Sequence, residues 1–149
     1  MPKASVKRLI NKKKDKLIEF VLNIESYPDF IPFCENSKVY ERNEDSEIIK
    51  IIADLTIGKG PFKDTFKSDV RFYKKKDHLH VKNIDGPLSY MENNWRFVEN
   101  GNSTEVYFDI DFEIKNKFLN ILMTKSFQFG LDKIADAFQK RAEDLFNKR

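Results

Sequence analysis

The chain has 149 residues, with 27 Lys and Arg, 24 Asp and Glu, and a formal net charge of +3. At 40% hydrophobic and 34% charged residues, the composition is typical of a globular protein and excludes an intrinsically disordered chain. A nucleic-acid-binding protein would cluster basic and aromatic residues on one face, and the weak positive charge gives no sign of this, so we expect no DNA partner. The length predicts one domain over residues 1–149.

Three further features concern the cellular compartment. The single cysteine permits no internal disulfide, as expected in a reducing interior. No stretch approaches the run of about 20 apolar residues that spans a bilayer, and the first five residues lack the apolar core of a signal peptide. The sequence therefore predicts a cytoplasmic protein.

The N-terminal part predicts a short strand followed by a short helix. Residues 4–10 have the pattern of an edge strand, with Val6 and Leu9 facing inward. Apolar positions at 17, 18, 20, 21, 22 and 24 predict a helix over residues 16–24 that is buried on most sides. The lysines at 12, 13, 14 and 16 either form a solvated helix start or a patch that attracts phosphate.

The segment from Tyr27 to Cys34 is rigid, apolar and irregular. Pro28 and Pro32 fix φ and remove backbone donors, so we expect neither a regular helix nor a regular strand to run through it. Its three aromatic residues and one isoleucine are too apolar for a solvated turn. The segment must pack either on the protein core or on an apolar ligand.

From Ser37 onward, apolar and polar residues alternate, which predicts strands with one buried face. Strands are predicted at 49–57, 62–72, 78–84, 91–97 and 106–114, separated by turns rich in Gly, Pro, Asn and Asp. Short turns between consecutive strands give an antiparallel meander. The predicted inner positions are Ile49, Ile51, Ala53, Leu55, Ile57, Phe62, Asp64, Phe66, Ser68, Val70, Phe72, Met91, Asn93, Trp95, Phe97, Val106, Phe108, Ile110, Phe112 and Ile114.

After Asn116, a favourable N-cap residue, the rest of the chain reads as one long helix. Its apolar stripe at helical spacing consists of Phe127, Leu131, Ile134, Phe138, Ala142 and Leu145. The helix must lay this stripe on the apolar face of a curved sheet, which predicts an α+β fold. Curvature of the sheet around the helix leaves a space between them, and we expect the functional site there.

Three polar residues occupy predicted inner positions: Asp64, Ser68 and Asn93. In a dry core each would cost about 1–3 kcal/mol unless it is hydrogen-bonded. Either they are satisfied by each other, by the backbone or by a buried water, or they are the convergent polar groups of an apolar pocket. A β-bulge would instead place Asp64 on the outer face.

Groups suited to catalysis are sparse. His78 and His80 point the same way on a strand, but no cysteine or carboxylate cluster completes a metal site, so we expect no metal. Cys34 has no adjacent base, and strand parity places Glu92 and Glu113 on the outer face, away from Asp64. We expect a binding protein and not an enzyme.

Several blocks together resemble the coenzyme-Q-binding START-domain family, within the polyketide cyclase/dehydrase-like helix-grip superfamily. They cover residues 6–146. The blocks are Tyr27 to Cys34; Ala53 to Gly58 followed by Phe62, Phe66, Ser68 and Val70; Asp85 to Leu88 with Asn93, Trp95 and Phe97; and Phe108, Phe112, Ala137, Phe138, Arg141 and Ala142. Phe33 stands where the family usually has tryptophan, and Asp64 where it usually has glutamate.

The resemblance implies a helix-grip fold, START- or Bet v 1-like, in which the curved sheet wraps around the C-terminal helix over a lipid cavity. It implies binding of ubiquinone or a prenylated precursor, without any other cofactor, in support of respiration and ubiquinone biosynthesis. Bacterial relatives are also named ribosome-association toxins, so inhibition of translation through the ribosome is the alternative. A third hypothesis is a cyclase-like enzyme that uses Asp64 as acid or base.

We expect the following residues to line the ligand site: Tyr27, Pro28, Phe30, Pro32, Phe33, Asp64, Phe66, Ser68, Asn93, Trp95, Phe108, Phe112, Phe127, Leu131, Ile134 and Phe138. Asp64, Ser68 and Asn93 would meet the head group, and Tyr27 to Phe33 would form a lid. A second apolar cluster is predicted either to touch a membrane surface, making the protein peripheral to the inner membrane, or to pack on the sheet edge: Phe118, Leu119, Ile121, Leu122 and Met123.

Overall fold

A computed structural model describes residues 3–58 and 63–147, with the side chains of 118–127 and 145–147 excepted. The elements in chain order are β1 (Lys3–Ile10), α1 (Lys14–Leu22), a 3-10 helix (Ile24–Asp29), β2 (Cys34–Glu44), β3 (Ile48–Ile57), β4 (Asp64–Tyr73), β5 (His78–Asp85), β6 (Leu88–Asn100), β7 (Ser103–Ile114) and α2 (Lys117–Asn147).

The seven strands form one antiparallel sheet in the order β1-β7-β6-β5-β4-β3-β2. Strands β2 to β7 follow one another as a meander, and β1 joins beside β7 at the edge. This sheet curves around the C-terminal helix, and the predicted α+β helix-grip fold is confirmed. Sequence patterning did not separate β2 as a strand of its own, because its residues are mostly exposed and polar on both faces.

Strand parity agrees with the predicted period of two. Ile49, Ile51 and Ala53 of β3 are buried, and each pairs with an inner residue of β4. The prediction that Leu9 faces inward is wrong, since its side chain is 54% exposed. Val6 and Leu9 are three positions apart and cannot share one face of a strand; Ala4 and Ile10 are buried on the inner side instead.

The long helix α2 packs along β1 and β7 and contacts α1. Its stripe residues Leu131, Phe138 and Ala142 are buried, and Ile134 packs against the core. The remaining stripe residues, Phe127 and Leu145, lie outside the described side chains.

Polar side chains of α2 bind the backbone of β1. The Gln128 amide donates to the Ser5 carbonyl and the Gln139 amide to the Leu9 carbonyl, both at 3.1 Å. Arg8 forms an ion pair with Asp136 at 3.0 Å. The helix is therefore fixed to the edge of the sheet through β1. Within the described ranges, no helix is both long enough and apolar enough to span a membrane.

Candidate functional site

One end of the space between sheet and helix is filled by aromatic rings around Phe138. The ring centroid of Phe138 lies 5.3 Å from Tyr27, 5.3 Å from Phe30, 5.9 Å from Phe20 and 5.4 Å from Trp95, all in edge-to-face geometry. Perpendicular rings at these distances are a favourable packing mode. This end is solid core, and a ligand would have to bind elsewhere along the sheet.

Tyr27 belongs to this core and not to an open ligand surface. It is buried, and its hydroxyl donates to the Val21 carbonyl at the end of α1. Burial also raises the pKa of the Tyr27 hydroxyl far above its ordinary value, so the group stays neutral. The sequence placed Tyr27 in the lid, but its contacts make it an anchor between α1 and α2.

The middle of the inner face is different, because its apolar residues are only half-buried. Val81, Trp95, Phe108 and Ile110 all have inner parity and adjoin buried positions, yet each keeps part of its surface accessible. Trp95 and Phe108 are perpendicular, with centroids 4.8 Å apart. In a solidly packed layer under a helix, such residues would be fully buried. Val81 and Trp95 still pack against the buried core, so the partial exposure of these four residues marks this part of the inner face as a candidate surface for an apolar ligand.

The three predicted inner polar residues have different environments. The Asn93 side chain is buried and hydrogen-bonded at both ends: its Nδ2 donates to the Asp109 carbonyl at 2.7 Å, and its Oδ1 accepts from Trp95 Nε1 at 2.9 Å. Asp64 is exposed, because it is the first residue of β4 and lies beyond the buried part of the face. Ser68 is half-buried on the inner face, opposite Ala53. The structure thus separates the three residues that sequence parity grouped together.

Sequence reasoning missed a fourth inner polar residue, Asn83. It pairs directly with Ser68, and a β-bulge at Ile84 follows, where the register shifts to pair Lys67 with Asp85. The Asn83 Nδ2 donates to the Leu88 carbonyl at 3.2 Å. The sequence did contain an indication that Asn83 faces inward, because it alternates with Leu79 and Val81. The predicted strand was, however, too short for us to assign its inner and outer faces.

The apolar segment after α1 is partly helical. Residues up to Asp29 form the 3-10 helix, which includes Pro28, so the expectation of no helix holds only for regular α-helix. Phe30 stacks on Phe20 at 5.3 Å and carries the Arg141 guanidinium 5.7 Å from its ring. The first half of the segment therefore belongs to the protein core.

The other half of the segment lies at the surface. Phe33 is 65% exposed and adopts a left-handed φ of 64°, which is unusual for a bulky residue. Pro32 is half-buried and Cys34 is buried, with its thiol near the Asn36 carbonyl. Burial raises the pKa of the Cys34 thiol, which makes it a poor nucleophile at neutral pH.

The remaining predicted site residues fall into two groups. Phe66 is half-buried and Phe112 is buried, and both lie on the inner face. The predicted membrane cluster lies outside the described side chains: Phe118, Leu119, Ile121, Leu122 and Met123.

His78 and His80 lie on the outer face, where His78 Nε2 is 2.8 Å from Asn94 Oδ1 and His80 Nε2 is 3.9 Å from a Glu92 oxygen. Among the residues with described side chains, no group of three His, Cys, Asp or Glu could hold a metal ion.

Residues 11–139 match the family described as polyketide cyclase / dehydrase and lipid transport. The chain belongs to this family. Two structures show the same fold at low identity. A START superfamily protein from Mycobacterium smegmatis superposes with a TM-score of 0.81 at 20% identity, covering 96% of this chain and 98% of that one. The Zhui aromatase/cyclase from Streptomyces sp. R1128 gives 0.78 at 13% identity, covering 95% and 93%.

Two relatives carry different names. The ribosome association toxin RatA of Rickettsia prowazekii is 26% identical over 141 residues, which cover 93% of this chain and 94% of the toxin. The mitochondrial coenzyme Q-binding protein COQ10 of Dictyostelium discoideum is 28% identical over 135 residues, which cover 89% of this chain and 64% of the relative. Neither of these two names is that of an enzyme, whereas one structural neighbour is a cyclase. Membership of the family therefore does not decide between a binding protein and an enzyme.

Proposed function

We propose that this protein is a non-enzymatic carrier that binds the prenyl tail of ubiquinone, or of a prenylated precursor, between the sheet and α2. The observation that carries the proposal is the half-buried inner surface formed by Val81, Trp95, Phe108 and Ile110. Apolar residues that remain partly accessible beneath a helix are suited to an apolar guest. The similarity to a coenzyme Q-binding protein supports the choice of guest.

Burial of the tail would supply most of the affinity. Each buried methylene contributes about 0.8 kcal/mol before ordering costs, so a few isoprene units suffice for micromolar binding after the cost of association. The aromatic rings packed around Phe138, which we call the aromatic plug, close one end of the site, and the tail would end there. Membrane contact through residues 118–123 remains part of the proposal, because a carrier of so apolar a ligand must collect it from a lipid surface.

Trp95 provides a direct test, because it is the only tryptophan of the chain and lies on the proposed binding surface. Titration with decylubiquinone is expected to quench its fluorescence saturably, and mass spectrometry of an organic extract of the purified protein is expected to show a prenylated lipid. Geranylgeraniol, which has a tail but no quinone, should compete. A linear, unsaturable quench together with a lipid-free extract would refute the proposal.

A second candidate function, inhibition of translation at the ribosome, is favoured by the near-complete alignment with the toxin over both chains. The structure also brings the N-terminal lysine run close to a second one, since Lys14 Nζ lies 2.9 Å from Asp77, which directly follows Lys74 to Lys76. Carboxylates neutralise much of this surface, however: Lys74 pairs with Glu44 at 2.6 Å, and this contact lowers the pKa of the Glu44 carboxyl.

Sucrose-gradient profiles distinguish the two functions. Under the lipid-carrier proposal, overexpression is expected to leave the ratio of 70S ribosomes to free subunits unchanged. Substitution of Lys13 and Lys16, both exposed, by glutamate would then have no effect on growth. Accumulation of free subunits that is reversed by this charge change would instead establish the ribosome-directed role.

A further inference from the structure

The inner face carries a pair of polar side chains whose hydrogen-bonding capacity is only partly used among the described residues. Ser68 of β4 and Asn83 of β5 are directly paired, both are half-buried, and both face the grip. Among the described residues, neither the Ser68 hydroxyl nor Asn83 Oδ1 has a hydrogen-bond partner, and neither atom is shut off from solvent. Directly opposite side chains on neighbouring strands are about 5 Å apart at Cβ, so one ligand ring can reach both.

The orientation of the Asn83 amide is fixed by the backbone. The Leu88 carbonyl can only accept, so the nitrogen of the amide must be the atom that faces it. Oδ1 therefore points away from Leu88 and is a fixed acceptor. Asn93, which lies one inner row further along the sheet, differs from Asn83 because its Oδ1 already accepts from the indole of Trp95.

We propose that Ser68 and Asn83 form the head-group subsite of the carrier and that Asn83 makes it select hydroxylated rings, the quinol or a phenolic precursor, over the oxidised quinone. The inference rests on the proposed lipid-binding function and specifies its ligand. The ring hydroxyl of a quinol donates to Asn83 Oδ1, whereas the carbonyl of a quinone only accepts and would face that oxygen unpaired. The Ser68 hydroxyl donates to the adjacent ring oxygen in either redox state.

The position of the pair fits a ligand with its tail in the half-buried centre. Ser68 and Phe72 are four residues apart on β4, about 13 Å along the strand, and Phe72 shares an inner row with Leu79, Trp95 and Phe108. A ring held at Ser68 and Asn83 would therefore place its first prenyl units over Val81 and its next ones beside Trp95.

The test compares decylubiquinol with decylubiquinone by calorimetry under anaerobic conditions. The wild-type protein is expected to bind the quinol about two- to tenfold more tightly, as one additional neutral hydrogen bond allows. Asn83→Leu should bring the ratio of the two affinities to about one. Ser68→Ala should weaken both forms by a similar factor and leave the ratio unchanged.

The ratio is insensitive to a general loss of stability, which makes it informative even if Asn83→Leu weakens the start of β6. Lys82→Gln, on the outer face of the same strand and exposed, is the matched control and should leave both affinities unaltered. Equal binding of quinol and quinone by the wild type, or an unchanged ratio in Asn83→Leu, would overturn the inference while leaving the carrier function intact. Failure of both ligands to bind would overturn the carrier function itself.

Discussion

Phe138→Ala is expected to lower the free energy of unfolding by about 3–5 kcal/mol, as large-to-small changes at buried phenylalanines do. The Phe138 ring is 8% exposed and forms edge contacts with four other aromatic rings, from α1, the segment after it and β6. No single neighbour can move to fill the resulting cavity, because the four rings are held by three different parts of the chain. Urea unfolding followed by circular dichroism measures the change.

Phe129→Ala is the control for this substitution. Phe129 lies on the same helix but is 67% exposed, with Lys133 Nζ 4.9 Å from its ring. An exposed cation–π contact contributes at most about 1 kcal/mol, so we expect a change no larger than that. Equal losses for the two variants would mean that the aromatic plug is not the anchor of α2.

Ile110→Trp is expected to leave the folded protein nearly as stable as the wild type but to abolish retention of lipid. Ile110 is half-buried on the inner face, between Asn93 and Ala4, and is not among the residues packed against the core cluster. If the space beside it is unfilled, the indole occupies that space without displacing neighbours. Lipid bound to the purified variant, quantified by mass spectrometry, should fall at least tenfold.

Ala53→Phe provides the opposite case. Ala53 is 3% exposed within the buried part of β3, and added volume in a well-packed core costs about 1–3 kcal/mol or more. The contrast between the two enlargements therefore distinguishes hollow from solid regions of one sheet face. If Ile110→Trp destabilises the protein as much as Ala53→Phe does, the centre of the grip is filled and the proposed ligand site does not exist.

The general architecture was predictable because side-chain alternation has a period of two over long strands. Ile49, Ile51 and Ala53, and likewise Val106 and Phe112, are buried as their parity predicts. The prediction that Leu9 faces inward was wrong because Leu9 and Val6, which have opposite parity, were assigned to one face. Strand ends were also misjudged: Ile57 is 37% exposed, since the inner face of a curved sheet is not covered along its whole length.

The polar part of the site was less predictable because it depends on contacts that parity does not encode. Asn93 and Ser68 have the same inner parity, but only Asn93 finds both an indole donor and a backbone acceptor. Asn83 became visible only through its pairing with Ser68 ahead of a bulge, and a bulge has no reliable signature in a single sequence. The pairing of strands in three dimensions therefore decides which amide oxygen lacks a hydrogen-bond partner among the described residues.

The glutamines of α2 that bind the Ser5 and Leu9 carbonyls have a consequence for self-association. An exposed sheet margin is a template on which further chains can pair, and here two carbonyls of the β1 margin already accept from the protein's own side chains. The opposite margin, β2, is rich in charged side chains, and the N–H of its first residue, Cys34, already donates to the Ile31 carbonyl. We therefore expect β1 to pair less readily with a strand of a second molecule, which disfavours growth into a continuous ribbon of sheets.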